Sequence, residues 1–137
     1  MAEDARPVAV GIGVLGDLEP LWHAWLDDAA RRARVDLDPS RLDEQLPNWR
    51  ALLERFAEDH APVYLRPSAP VTAALRRLRR DGVPVGVVTE YPDELTEVAL
   101  SHLGATGRVA THGTLAHVRD VLGDVRLVQT VDGLRDA

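Results

Sequence analysis

A glycine-rich loop near the start of the chain is the first segment whose residue types and spacing suggest a binding site. Gly11, Gly13 and Gly16 follow a short apolar run and match the G-x-G-x-x-G spacing of dinucleotide sites. Asp36 follows Gly16 by about 20 residues, where such a site carries the acid that binds the ribose. Taken alone, this spacing favours a nucleotide-cofactor site.

The residues that follow the loop argue against that interpretation. Asp17 and Glu19 would put two negative charges beside the pyrophosphate, where a helix terminus should attract anions. Pro20 would fall inside a helix that began in the loop, and it would remove a backbone donor from that helix. The stretch before Asp36 also lacks a convincing second strand. A nucleotide-cofactor module is therefore kept only as the third hypothesis.

Other side chains that could do chemistry are absent or scattered. The chain has no cysteine, which excludes thiolate catalysis and cysteine-ligated metals, and all 16 of its basic residues are arginine. The spacing of His112 and His117 fits neither one helix face nor a known zinc motif. Acidic residues expected near the strand ends suggest at most a weak cation site. They are Asp17, Glu19, Glu90, Asp93 and Asp132.

The order of apolar segments predicts the elements that must position these residues. A buried strand begins at Val8, about 50 mainly helical residues follow, and Ser68 caps the next helix. Further strands are predicted at residues 83–88, 108–110 and 126–128, and helices at residues 92–103 and 114–122. This alternation is typical of a doubly wound parallel sheet, whose ligands bind beyond the carboxyl ends of the strands.

Residues 15–22, with the sequence LGDLEPLW, resemble the segment after the first motif of haloacid dehalogenase-like (HAD-like) hydrolases that have a small helical cap. The helical stretch after the first strand resembles that cap, and residues 83–88 followed by Thr89 resemble the second motif. The resemblance implies a single α/β domain over residues 1–137, with about four strands and helices on both faces of the sheet. Its expected parts are a Rossmann-like core at residues 8–17 and 68–135 and a helical cap insert at residues 18–67.

The same resemblance implies that the catalytic residues of the family are missing from this chain. The nucleophilic aspartate falls on Val10 and the acid/base aspartate on Ile12, and both aspartates would also help to hold Mg²⁺. Valine and isoleucine offer neither a lone pair nor a proton. The lysine of the third motif has no counterpart, although His112 or Arg108 could approach its place. Asp132 is displaced from the metal-binding position of the fourth motif.

The leading hypothesis is therefore a catalytically degenerate HAD-like protein with a binding, regulatory or oligomerising role and no cofactor. The ligand cleft that remains is expected between Gly13, Asp17, Thr89, Glu90 and His112. Thr89 would either bond a phosphate oxygen, as its family counterpart does, or satisfy local backbone groups. The alternative is a divergent Mg²⁺-dependent phosphatase that acts on a small phosphate ester through Asp17 or Glu19.

Length and composition are those of a globular domain and limit its partners. The chain has 137 residues, of which 45% are hydrophobic and 28% are charged, and its net charge is −6. This charge argues against nucleic acid and anionic membranes as partners. The acidic start, Met1 to Asp4, does not resemble a secretory signal, and no run approaches the roughly 18 apolar residues of a membrane span. We expect a cytoplasmic protein whose partner is another protein, a small ligand or a second copy of itself.

Two further groups of residues are expected mainly to support the fold. The aromatic residues of the insert should pack between its helices, with an interaction surface as the alternative. They are Trp22, Trp25, Trp49 and Phe56. The arginines of the helix after Ser68 should lie largely outward in solvent. They are Arg76, Arg77, Arg79 and Arg80.

Overall fold

A computed structural model describes residues 6–137, so the acidic start from Met1 to Asp4 lies outside the described part of the chain. The strands are β1 (Val8–Gly11), β2 (Val85–Val88), β3 (Thr111–Gly113) and β4 (Arg126–Val128). They form a parallel sheet in the order β3-β2-β1-β4. The predicted α/β architecture with about four parallel strands is confirmed.

Helices account for most of the remaining chain. Those before β2 are α1 (Ile12–Leu15), α2 (Glu19–Ala33), α3 (Leu42–Gln45), α4 (Trp49–Tyr64) and α5 (Ala69–Arg80). Those after β2 are α6 (Asp93–His102), α7 (Leu115–Leu122) and α8 (Val131–Asp136). None of these helices combines the length and the apolar character needed to cross a lipid bilayer.

The inner strand β1 is apolar because helices cover both of its faces. Val8, Ala9 and Val10 are fully buried. Successive side chains of a strand point to opposite faces, and the core is divided accordingly. Val8 and Val10 belong to the main core, whereas Ala9 packs with Val118 and Val125 in a smaller cluster that includes α7. The continuous apolar run therefore reports a strand buried on both sides.

Most of the chain between β1 and β2 is helical, and we refer to its residues 18–67 as the helical insert. Its helices α2 and α4 pack together, and α4 also packs along α6. The Trp25 and Trp49 side chains are buried, and their ring centroids lie 6.1 Å apart. These aromatic residues therefore fill the interior of the insert, as the sequence predicts.

The third strand begins later than the sequence predicts. Residues 108–110 are predicted as a strand, but Thr106–Arg108 forms a 3₁₀ turn and β3 starts at Thr111. The polar residues of β3 form a strand because it lies at the edge of the sheet, where an apolar sequence is not required. In consequence His112 lies inside a strand, not beyond its end.

Helix α4 is longer than expected. From the sequence, residues 61–67 are expected to form a connector, but the helix continues through Pro62 to Tyr64. Pro62 is exposed, whereas Ala61 and Leu65 are almost fully buried. The Leu65 N–H donates to the Ala61 carbonyl at 2.8 Å. Packing of the last turn against the core therefore outweighs the missing donor at one exposed position.

Of two helix caps predicted from the sequence, one is confirmed and the other is wrong. The Ser68 hydroxyl accepts from the Val71 N–H at 3.5 Å, which confirms it as the cap of α5. Asp17 is predicted to cap α2, but the capping position is Leu18. The Asp17 carboxylate instead accepts from the Glu19 N–H at 3.1 Å. The carboxylate thus stabilises the first turn of α2 from one residue further out.

Candidate ligand-binding cleft

A cleft of about 610 Å³ lies at the carboxyl ends of β1 and β2. Parallel α/β sheets bind their ligands at this edge. Three segments form its wall: the turn from β1 into α1, the first turns of α2 and the loop after β2. Because α2 belongs to the helical insert, the cleft lies between the insert and the sheet edge.

Three of the predicted site residues line this cleft together. They are Gly13, Thr89 and Glu90. Gly13 has an ordinary backbone conformation, and a side chain added there would meet no atom within 4 Å. Glu90 is exposed, and its carboxylate makes no hydrogen bond or ion pair with another described residue.

Thr89 is buried, and its hydroxyl already has partners. The Thr89 Oγ1 accepts from the Tyr91 N–H at 3.1 Å and lies 3.4 Å from the Thr96 hydroxyl. The Thr89 N–H donates to the Gly113 carbonyl at 2.8 Å. These contacts correspond to the second of the two predicted roles, in which the side chain satisfies local backbone groups.

The other two predicted site residues lie outside the lining of the cleft. Asp17 is exposed beside the start of α2, where its carboxylate accepts from the Glu19 N–H. His112 lies on β3 and faces α6, with its ring nitrogens 3.8 Å from the Asp93 carboxylate and 3.6 Å from the Glu97 carboxylate. His112 lies outside the cleft because β3 begins at Thr111, later than predicted, which places His112 within the sheet.

Trp22, His23 and Tyr91 also line the cleft, although no motif in the sequence pointed to them. The rings of Trp22 and Tyr91 meet edge to face, with centroids 6.2 Å apart. His23 Nε2 lies 3.4 Å from the Glu19 carboxylate, one helical turn away. Trp22 is only partly buried, which fits the interaction surface kept as its alternative to core packing. Its position in the first turns of α2 was the available signal.

The electrostatic environment of the cleft is acidic. Glu19 and Glu90 line it, and none of the 16 arginines does. Burial raises the pKa of Tyr91 above its ordinary value, and the negative charges of Glu19 and Asp17 raise it further. The negative charges of Glu19 and Asp17 therefore disfavour a further negative charge near Tyr91.

Comparison with known proteins bears on the fold. No protein-family model matches the sequence, and no curated protein matches it. The chain is similar to a solved structure from Thermotoga maritima that is provisionally named a beta-phosphoglucomutase, a HAD-superfamily enzyme. The two chains share 17% identity and superpose with a TM-score of 0.57, over 90% of this chain and 74% of that one. The fold is HAD-like.

Val10 and Ile12, where the sequence resemblance would place the two catalytic aspartates of the family, carry hydrocarbon side chains. Val10 is fully buried on β1, and Ile12 is only 7% exposed at the start of α1. Both belong to the main hydrophobic cluster. An aliphatic side chain can neither attack a phosphorus atom nor transfer a proton, so neither side chain can perform this chemistry.

The donor set does not fit the Mg²⁺ ion that a HAD-like fold implies. Mg²⁺ requires oxygen ligands in near-octahedral geometry, and the Val10 and Ile12 side chains supply none. Within residues 6–137 no three His, Cys, Asp or Glu side chains are grouped closely enough to hold a metal ion. Two of the predicted acids face other partners: Asp93 lies near His112 and Asp132 near Arg135. The weak cation site suggested by the sequence is therefore not formed.

The remaining motif residues also lie apart from the cleft. The Arg108 guanidinium donates to the Gly104 carbonyl, and Arg108 does not line the cleft. Asp36 lies beyond the far end of α2, a helix that is about 22 Å long for its 15 residues. An acid at that distance cannot bind the ribose of a nucleotide held by the glycine loop.

One arginine predicted to point into solvent has a structural role. The Arg77 guanidinium donates to the Leu134 carbonyl at 3.3 Å and to the Ala137 carbonyl at 2.9 Å. These bonds join α5 to the end of α8, where a cation also interacts favourably with the helix dipole. Arg77 is therefore an exception to the outward-facing pattern predicted for its helix.

Proposed function

We propose that this HAD-like protein is a pseudo-hydrolase, which binds a ligand or partner and does not hydrolyse phosphate esters. The observation that carries the proposal is the complete burial of Val10 at the position of the family nucleophile. Covalent phosphotransfer needs a nucleophile at that strand end, and a valine side chain cannot serve as one. Ile12 removes the proton donor in the same way.

A binding role is supported by the cleft that remains at the sheet edge. It has the volume of a small-molecule site and is lined by three side chains from the helical insert: Glu19, Trp22 and His23. In this proposal residues 18–67 act as a cap over a core formed by residues 8–17 and 68–135. The cap residues orient the ligand, and the strand-end residues form the opposite wall.

No step in this proposal requires a metal or an organic cofactor. The protein binds its ligand or a protein partner, regulates through that contact or assembles with a second copy of itself. A cytoplasmic location and the absence of nucleic-acid or membrane partners are part of the proposal. The acidic net charge of −6 supports the second point, because polyanions would be repelled.

The test is the hydrolysis of para-nitrophenyl phosphate by purified protein, with and without Mg²⁺. An Asp17→Asn variant prepared in parallel controls for contaminating phosphatases and removes the acid on which a divergent enzyme would depend. We expect both proteins to fold, by circular dichroism, and to release no nitrophenol above the buffer rate. Mg²⁺-dependent turnover that vanishes in the variant would contradict the proposal and favour the divergent phosphatase.

A further inference from the structure

The cleft has the chemistry of a site for organic cations. Building on the proposed binding role, we propose that it selects a small organic ammonium compound and rejects phosphate esters. The inference rests on the charges, the aromatic wall and the dimensions of the cleft described above. It concerns the ligand class alone, so it can fail while the absence of hydrolysis holds.

The carboxylates supply the attraction for a cation. The Glu90 carboxylate lines the cleft without a partner among the described residues, so it is available to a ligand. The Glu19 carboxylate also lines the cleft, beside His23, and Asp17 adds a third negative charge close to Tyr91. A cation in the cleft would be attracted by these negative charges.

The aromatic rings supply the second element of recognition. Trp22 and Tyr91 meet edge to face. Both rings line the same cleft as the carboxylates of Glu19 and Glu90. Ammonium groups are attracted to the faces of aromatic rings, and Trp gives the strongest contact. Rings combined with carboxylates favour an alkylated ammonium group over a bare metal ion, because the alkyl groups also bury apolar surface.

The lining lacks what a phosphate ester requires. All 16 arginines lie within residues 6–137, none of them lines the cleft, and the sequence has no lysine. A phosphate dianion would enter between two carboxylates with only His23 as a basic neighbour. The cleft volume of about 610 Å³ lies within the usual range for small ligands, so size does not exclude an organic cation.

The inference is tested by titrating the full chain, labelled with ¹⁵N, with benzyltrimethylammonium and in parallel with phenyl phosphate at about pH 8, where carboxylates are ionised. We expect the ammonium probe to shift the Trp22 indole and the backbone amides of Thr89 and Glu90. Binding should weaken as salt is added, because the attraction is partly electrostatic. Phenyl phosphate should leave these signals unchanged.

Variants separate the contributions of charge and ring. Glu90→Gln should lower the affinity for the ammonium probe roughly fivefold, and Trp22→Leu should lower it roughly threefold. Glu58→Gln, on the exposed part of α4, removes an equal charge away from the cleft and should leave the affinity unchanged. Glu90→Gln is exposed and should fold normally, so its result does not depend on stability.

Three outcomes would overturn the inference. They are no shift of the cleft signals by the ammonium probe, equal weakening by Glu90→Gln and Glu58→Gln, and specific shifts by phenyl phosphate. Binding of phenyl phosphate without turnover would reject the ammonium ligand but leave the pseudo-hydrolase proposal intact. Turnover of para-nitrophenyl phosphate would reject the pseudo-hydrolase proposal itself.

Discussion

Arg50 Nη1 and Glu94 Oε1 lie 2.8 Å apart, and this ion pair joins the helical insert to α6. The Arg50 guanidinium also lies over the Trp49 ring, 4.4 Å from its centroid. About half of the Arg50 side chain is exposed, so water and salt screen the pair. Its contribution to stability is therefore modest, but it acts between two elements that are distant in sequence.

A double-mutant cycle with Arg50→Ala and Glu94→Gln should give a coupling free energy of about 0.5 kcal/mol in urea unfolding. The coupling should shrink in about 1 M salt, because exposed charges are then strongly screened. The exposed local pair of Arg41 and Glu44 on a short segment of the insert serves as control and should give a smaller coupling. Equal couplings in the two cycles would contradict the assigned role.

Restoring the family nucleophile should damage the protein and not activate it. Val10→Asp places a carboxyl group at a fully buried position, which should reduce the free energy of unfolding by several kcal/mol, roughly 3–5. Burial should raise the pKa of the new carboxyl group in the folded state. The loss of stability should therefore grow as pH rises through that pKa, because the unfolded chain releases the proton more readily.

The control for this substitution is Val10→Asn, which has a similar shape and does not titrate. Its loss of stability should not change with pH over the same range. Chemical unfolding of both variants at several pH values, together with the phosphatase assay, checks the prediction. A folded Val10→Asp variant that hydrolyses para-nitrophenyl phosphate would show that the site needs only one group to work.

Gly86 allows α7 to approach the sheet closely. A Cβ atom added at Gly86 would lie 2.6 Å from Val118 Cγ1 and 3.1 Å from Leu122 Cδ1. Val118 is fully buried and β-branched, so it cannot move away easily. We expect Gly86→Ala to reduce the free energy of unfolding by about 1–3 kcal/mol.

Gly11→Ala is the matched control for this effect on the neighbouring strand. A Cβ atom at Gly11 meets nothing within 4 Å, and the backbone there is extended. The control should unfold within about 0.5 kcal/mol of the wild type in urea. If Gly86→Ala proves equally harmless, α7 can shift, and the packing assigned to Val118 is not restrictive.

Tyr91 should ionise at higher pH than an ordinary tyrosine. Burial is the main cause of the raised pKa, and the charges of Glu19 and Asp17 add to it. Ultraviolet titration of the phenol near its ionisation should detect the shift, and Glu19→Gln should reduce it. A Tyr64→Phe background, which leaves Tyr91 as the one tyrosine of the sequence, assigns the signal.

The same shift links Tyr91 to alkaline stability. Its pKa is raised in the folded state, so the unfolded chain binds fewer protons once pH exceeds the ordinary tyrosine value. The contribution to stability is therefore fully present below that value and is lost as pH rises through the folded-state pKa. A Tyr91→Phe variant should lose this part of the pH dependence, and an unchanged alkaline profile would refute the link.

Much of the fold was predictable because the sequence carries strong local signals. The apolar run from Val85 to Val88, the cap at Ser68 and the helical spacing of the insert each depend on neighbours in the chain. The exceptions arise where tertiary contacts outweigh local preference. The polar edge strand β3 and the continuation of α4 through Pro62 are both stabilised by the elements against which they pack.

The candidate site was less predictable. Gly13, Thr89 and Glu90 could be inferred because residues at the carboxyl ends of neighbouring parallel strands meet at one edge. The distance of His112 from the cleft could not, since it follows from a strand that begins three residues late. Trp22 and Tyr91 come together only because the first turns of α2 lie close to the loop after β2.

The sequence by itself determined which chemistry is absent. Side-chain types at Val10 and Ile12, and the lack of lysine and cysteine, do not depend on the fold. Tertiary structure alone decided which groups share the cleft and which are already occupied. The Thr89 hydroxyl accepts from local backbone, Glu90 has no partner among residues 6–137, and two rings from separate segments meet edge to face. The physical reason is that residue type sets what a group can do, whereas long-range packing sets its neighbours, its solvent exposure and its remaining hydrogen-bonding capacity.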